Sequence, residues 1–375
     1  MKIVPFLSER LLSIWQNQVR FDFTETGVHP LYLREFLARE EYNALYDDGQ
    51  LRYIQTNGTP PLKEAICQMY PGASPENILV TNGSAEANFV TMWHHLEEGD
   101  EVVALLPNYM QVPGMALNLG AAVKSFYLRE ETRWAPDIAQ LEEIITPKTK
   151  LIYVTNPNNP TGAVLTPEEM GRIVAVAERV GAWILADEVY RGAELTGEVS
   201  PSFWGMSDRI LIVAGLSKAY TLPGLRIGWL VGPKDFVKTT WGYHDYTTIT
   251  TGALNDRLAR LAMRPATRQK ILERNRSISA GNLAILQDWL ESHPGMFRFV
   301  PPRIGGVAFI GYNIEINSTD LVMKLLHEQS VLLVPGDAFG LDGYLRIGYG
   351  AKNLQDGLAL VDNVLRSVQR TKGSI

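Results

Sequence analysis

AGLSKAYTLPGLRIGW, residues 214–229, decides how the rest of the chain reads. It leaves an apolar, strand-like run at 210–214 and turns at Gly215. Lys218 follows behind Ser217, and Arg226 opens the next apolar run. A lysine between two buried strands is costly unless it is neutralised or used covalently. An amine that condenses with an aldehyde escapes that cost and becomes a catalyst. Taken alone, Lys218 is equally well a snorkelling cation on a surface loop. The remainder of the chain must choose.

Working outward, short β-rich runs at 78–81, 101–106, 122–128, 151–155, 183–187, 210–214 and 227–231 alternate with helical stretches. That alternation is the α/β signature. Several runs are apolar throughout, as strands covered on both faces must be. Thr166 is an N-cap candidate for a helix over Pro167–Val180. A long helical pattern runs over 264–290, with Pro265 expected as a kink or break. The last hundred residues read as a smaller α+β unit, with strands at 306–312, 331–334 and 344–349 and helices at 319–329 and 353–370. The expected fold is therefore α/β. A large domain over 48–275 holds a mostly parallel central sheet between helices. A small α+β domain is assembled from 1–47 and 276–375.

Composition narrows the class. A chain of 375 residues, 46% hydrophobic and 20% charged, is ordinary globular protein with room for about two domains. A net charge of −6 without any basic run speaks against a nucleic-acid partner. Cys67 is the single cysteine, so no internal disulfide can form and a cytoplasmic setting is expected. MKIVPFLSER lacks the apolar core of a signal peptide. No apolar run is long enough to span a bilayer, so no membrane association is expected. No metal site is expected either.

The chemistry-bearing residues sit at turns after the apolar runs. Asn82-Gly83-Ser84-Ala85 follows a strand and opens a helix, where free backbone N–H groups bind phosphate. The same pattern serves as a plain Ser cap. Arg226 could grip the same phosphate with its planar fork, or serve in a structural ion pair. Asn156-Pro157-Asn158-Asn159-Pro160-Thr161-Gly162 turns sharply after a strand, a pattern rarer than a simple turn needs. Asp187 ends the run 183–187, where α/β sheets place ligand-binding groups, and Tyr190 follows three residues on. A lysine, a strand-end aspartate, a phosphate cradle with an arginine and an Asn/Tyr pair are together the kit that pyridoxal phosphate needs. The aspartate would keep the pyridine nitrogen protonated so that the ring draws electrons. Asn and Tyr would hydrogen-bond its phenolic oxygen.

The motifs NPNNPTG, ADEVY, SKAY-x-LPGLR-x-G and LRIGYG stand in the order found in the class I/II aminotransferases, the fold-type I PLP enzymes. The chain resembles that family over nearly its whole length. The resemblance implies Lys218 as the Schiff-base lysine and Asp187 as the pyridinium partner. Asn159 and Tyr190 would contact the phenolic oxygen. Ser84, Ala85, Ser217 and Arg226 would hold the phosphate, and Tyr109 would stack on the ring. Arg346, with Asn159, would bind the substrate α-carboxylate. Tyr53 would reach the phosphate of a partner subunit, which implies a homodimer with shared sites. One departure stands out: Gly215 occupies a position where many relatives carry a hydroxyl.

Thr26-Gly27-Val28-His29, LSKAYTLPGLRIGW and residues 331–336 also resemble a capreomycidine-synthase-like branch of the family. That likeness implies a substrate segment containing Glu25 and Gly27, with His29 as a proton shuttle. The implied reaction is β- or γ-elimination of a carbon–heteroatom bond from a guanidino amino acid of the canavanine or hydroxyarginine type. The alternative is ordinary transamination to a 2-oxo acid. A non-enzymatic PLP-binding regulatory domain is disfavoured, because no basic helix-turn-helix segment precedes the fold.

Overall fold

The computed structural model describes residues 3–372. An eight-stranded sheet has the spatial order Ile78–Thr81, Gly228–Val231, Ile210–Gly215, Trp183–Asp187, Thr149–Thr155, Glu101–Leu106, Ala122–Arg129, Ala135–Pro136. From Ile210–Gly215 through Ala122–Arg129 neighbouring strands run parallel. Gly228–Val231 is antiparallel to both of its neighbours. The sheet is mixed but mostly parallel, as expected from the sequence.

Period two explains why these runs are apolar throughout. Ile152, Ile184 and Ile212 enter the core on one face. Leu151, Leu185 and Leu211 enter a separate core on the other. Helix Pro167–Val180 forms for local reasons. The Thr166 hydroxyl accepts from the Glu169 amide, Glu169 returns a bond to the Thr166 amide, and Gly181 ends the helix at φ 73°. Its buried residues Met170, Ile173, Val174 and Ala177 fall at helical spacing on the sheet side.

A second, antiparallel sheet has the order Phe297–Phe299, Ala308–Tyr312, Tyr344–Ile347, Val334–Pro335. Its core draws Phe21 and Phe23 from the start of the chain together with Leu286, Ile310, Leu325 and Leu358 from the end. Phe36 and Leu37, by contrast, pack into the core of the large sheet. Gly348 and Gly350 seat the N-terminal segment. A Cβ on Gly348 would lie 1.9 Å from the Glu25 carbonyl, and one on Gly350 would lie 2.2 Å from that of Gly27. Backbone therefore meets backbone there, which no other residue type allows.

Two details differ from the sequence reading. The run 331–334 is split: Val331–Leu332 pairs in parallel with Phe21–Asp22, whereas Val334–Pro335 joins the second sheet. The run is apolar and buried throughout, so nothing local marks the change of partner. Pro265 opens helix Pro265–Glu291 in its first turn, after Ala253–Ala262 has ended. At that position its missing N–H costs nothing. Among the described residues no helix is long and apolar enough to cross a membrane.

Candidate active site

Register sets the site. Thr155, Asp187 and Val213 lie side by side across adjacent parallel strands, at their carboxyl ends. A cavity of about 290 Å³ opens there, where open α/β sheets bind ligands. Its walls include Ser84, Ala85, Tyr109, Asn159, Asp187, Tyr190, Ser217, Lys218, Arg226 and Arg346, together with Glu25.

One end is a phosphate cradle. Helix Ser84–His95 begins after Gly83, which is held at φ 85°. A Cβ on Gly83 would fall 2.3 Å from Arg226 Nη2, so the guanidinium rests directly against the turn. Arg226 is itself left-handed, at φ 49°, and donates to the Pro223 carbonyl. A helix N-terminus, a fork of donors and the Ser217 hydroxyl thus converge on one space suited to a dianion. Gly215 has a steric reason. A Cβ there would sit 2.9 Å from the Ile227 carbonyl and 3.1 Å from Gly228 Cα, so the hydroxyl of other relatives has no room.

Asp187 sits deeper. Its carboxylate accepts from the Val189 amide at 3.1 Å and from Asn88 Nδ2 at 3.3 Å. It forms no salt bridge among the described residues. Burial pushes its pKa up to about 6, and those two bonds offset burial only in part. A buried carboxylate with no cation is costly, and a protonated pyridine nitrogen is the partner that would relieve it. The cavity therefore fits pyridoxal phosphate at both ends of the cofactor.

The opposite end comes from the N-terminal segment and the second sheet. Strand Tyr344–Ile347 delivers Arg346, which is buried and donates to Asn159 Oδ1 at 3.2 Å and to the Thr24 carbonyl at 2.8 Å. Its Nε is buried without a partner. Burial lowers its pKa, as expected for a guanidinium awaiting an anion. Tyr190 and Thr26 share a 2.5 Å hydroxyl–hydroxyl bond. Tyr109 donates to Glu9 at 2.9 Å and meets the Phe6 ring edge-on. Lys218 Nζ donates to Glu25 Oε1 at 2.6 Å. Burial works to lower the Lys218 pKa, but Glu25 and Tyr190 more than offset it, so the amine lies above its usual value. Burial works to raise Glu25, and Lys218 with the Thr26 amide brings it below its usual value.

Two expected residues lie elsewhere. The His29 ring faces the Gly350 carbonyl at 3.3 Å and does not line the cavity. Burial lowers its pKa. Gly27 packs beneath the Lys218 backbone, where a Cβ would lie 3.3 Å from the Lys218 carbonyl. Tyr53, expected to serve a partner subunit's site, is 80% exposed on its own chain. Sequence reasoning missed Asn88, which is one helical turn beyond Ser84 and so beside the cradle by spacing alone. It also missed Glu9, carried over the cavity by helix Leu7–Trp15, for which no local pattern speaks. Within NPNNPTG, Asn156 and Asn158 bond the loop to itself through the Leu165 and Thr161 amides, and Asn159 alone reaches Arg346.

Comparison with known proteins agrees with this geometry. The model of the family "Aminotransferase class I and II" matches residues 31–359. The capreomycidine synthase of Streptomyces vinaceus is 31% identical, over 93% of this chain and 90% of its own. A solved PLP-dependent aminotransferase from Streptococcus suis 89-1591 superposes with a TM-score of 0.90 at 36% identity, covering 99% of each chain. A solved PLP-dependent cyclase, OrfR, gives a TM-score of 0.86 at 25% identity over 98% of each. Further relatives are aspartate aminotransferases. With a cavity fitted at both ends to the cofactor and a family match across most of its length, this protein belongs to the class I and II aminotransferase family, as an enzyme that uses pyridoxal 5'-phosphate.

Proposed function

We propose that the enzyme acts on a basic, guanidino-type α-amino acid and eliminates a β- or γ-heteroatom group from it. The carrying observation is charge. Beyond Asp187, two further carboxylates, Glu9 and Glu25, line the cavity on the side of Arg346. A substrate carboxylate answers Arg346. Glu25 meets Lys218 and Glu9 meets Tyr109 through Oε1 alone, and a neutral or acidic substrate side chain would answer neither second oxygen. A guanidinium offers donors in a fork that matches carboxylates. The names of two relatives, a capreomycidine synthase and a PLP-dependent cyclase, support a reaction other than amino transfer.

In this reading Arg226, Ser84, Ala85 and Ser217 hold the phosphate, Asp187 the pyridine nitrogen, and Asn159 and Tyr190 the phenolic oxygen. Bound PLP supplies an electron sink at the substrate α-carbon. Arg346 with Asn159 fixes the α-carboxylate, which orients the α-hydrogen toward Lys218. Lys218 Nζ takes that proton as general base. Glu9 and the second oxygen of Glu25, whose bonds to Lys218 and Thr26 both fall on Oε1, receive the guanidinium. His29 has no part in this scheme, since its ring is turned to Gly350.

A homodimer completes the site in the same reading. Tyr46, Leu51 and Tyr53 are 83%, 85% and 80% exposed along one segment, which suits cover by a second copy. Light scattering should give a dimer, and a fully active monomer would refute it.

The test of the reaction is a panel of canavanine, β-hydroxyarginine and arginine, with and without a 2-oxo acid. Consumption of canavanine or hydroxyarginine without any acceptor, with release of the side-chain fragment, is expected. Strict dependence on the 2-oxo acid with stoichiometric amino transfer would leave an ordinary aminotransferase.

A further inference from the structure

Glu25 is built into place rather than draped over the cavity. Its Oε1 accepts from Lys218 Nζ at 2.6 Å and from the Thr26 amide at 3.0 Å. Its backbone carbonyl lies against Gly348, where a Cβ would come within 1.9 Å. The carboxylate therefore arrives from the N-terminal segment, is anchored on the second sheet, and ends on the lysine of the large domain. A carboxylate needed only for a substrate cation has no reason to hold the lysine first.

We propose that Glu25 is the charge partner of Lys218, holding the lysine amine in its protonated form and aiming it, and so setting how strongly Lys218 binds a proton. Lys218 is faced by Glu25 and Tyr190, with Arg346 opposing. Glu25 is faced by Lys218 and Arg346. Arg346 in turn faces Glu9 and Tyr109 as well as Tyr190 and Glu25. Within this group Glu25 is the acid bonded to Nζ. A charge-assisted bond of this length stabilises the ammonium over the amine. Two consequences have the same sign. Capture of an aldehyde needs the neutral amine, so Glu25 slows it near neutral pH. Removal of a substrate α-proton also needs the neutral amine, so Glu25 slows it as well at a pH below the lysine pKa. In that step the C–H bond breaks, the proton joins Nζ, and the electron pair stays with the carbon framework. The inference rests on the family's lysine chemistry and not on the choice between elimination and amino transfer.

The experiment compares wild type, Glu25→Gln and Glu25→Asp. Cofactor-free protein is mixed with PLP over a pH series, and capture is followed by absorbance. Competitive acetylation of the same cofactor-free protein, with mapping of the peptide that holds Lys218, reads the amine's own titration. Loss of an opposite charge at this distance lowers a lysine pKa by roughly one unit or more. Glu25→Gln should therefore move both profiles to lower pH and quicken capture about tenfold at a fixed pH below the lysine pKa. Glu25→Asp should keep both pH profiles near wild type. Unchanged pH profiles in Glu25→Gln would overturn the proposal. So would slower capture at every pH, the mark of a purely structural role. Failure of the substrate panel above, with shifted profiles here, would sink the elimination reading and leave this one standing.

Discussion

The two ends of the cavity are built by different means. The cofactor end is made of backbone and strand ends: a helix start at Ser84, a glycine turn pressed on Arg226, and Asp187 closing a parallel strand. The proposed substrate end is made of side chains from distant parts of the chain: Glu9, Glu25 and Thr26 from the start, Arg346 from the end. The first depends on local geometry that close-packed strands cannot change cheaply. The second depends on how one end of the chain is laid against the other. A fold organised this way can keep one cofactor while its substrate end is rebuilt.

The largest effect expected at the cofactor end is that of Lys218→Ala. Turnover should fall by at least about 10⁴-fold, the upper range for loss of a general base. Borohydride treatment of the wild type should attach the cofactor to the peptide carrying Lys218, and labelling at another lysine would break the assignment.

Asp187→Asn comes next, because it removes a charge and keeps the shape. Turnover should drop by the equivalent of about 3–5 kcal/mol, the scale for breaking a buried charge pair. Stability of the cofactor-free protein should move the other way. The Asp187 pKa rises from 3.8 to about 6 on folding. That is roughly two units, or about 3 kcal/mol. A raised carboxyl pKa means the fold favours the protonated form. The cofactor-free wild type therefore loses that stability as pH climbs from below about 4 to above about 6. Melting curves should show the variant gaining on the wild type over that window. Parallel curves for the two proteins would mean that the carboxylate already has a cation.

Arg226→Ala should weaken PLP retention by about 1.5–3 kcal/mol, as for a hydrogen bond to a charged group. Dialysis followed by absorbance measures it. Unmodified pyridoxal, which lacks the phosphate, should bind the variant and the wild type alike.

The smallest effect tests the other end. His29→Gln should leave kcat/KM within about twofold, because a side chain turned to the Gly350 carbonyl sits outside the cavity. A hundredfold loss there would show that the N-terminal segment moves during turnover and that the comparison of the two ends understates the second.

Much of the cofactor end was legible in the sequence, for a physical reason. Strand Trp183–Asp187 and the turn 82–85 need particular residues within a few positions, so their patterns are local. The substrate end was less legible. Glu25 suggested a cation-binding carboxylate by residue type, yet its partner Lys218 stands 193 positions away. Glu9 sits on a helix whose only buried residue is Ser8, and its pattern does not mark the acid that bonds Tyr109.

By itself, then, the sequence determined the α/β alternation, the motifs whose lysine, aspartate and arginine line the cavity and, through the family they mark, the cofactor. Period-two burial and turn chemistry act over a few residues, and the chain writes them in order. Only the tertiary structure decided that the run 331–334 divides between two sheets, that His29 turns away and that Glu25 closes on Lys218. Those outcomes hang on backbone meeting backbone at Gly348 and Gly350, a contact between segments more than three hundred residues apart. No local pattern encodes such a contact, because its energy comes from how two surfaces fit and not from either surface alone.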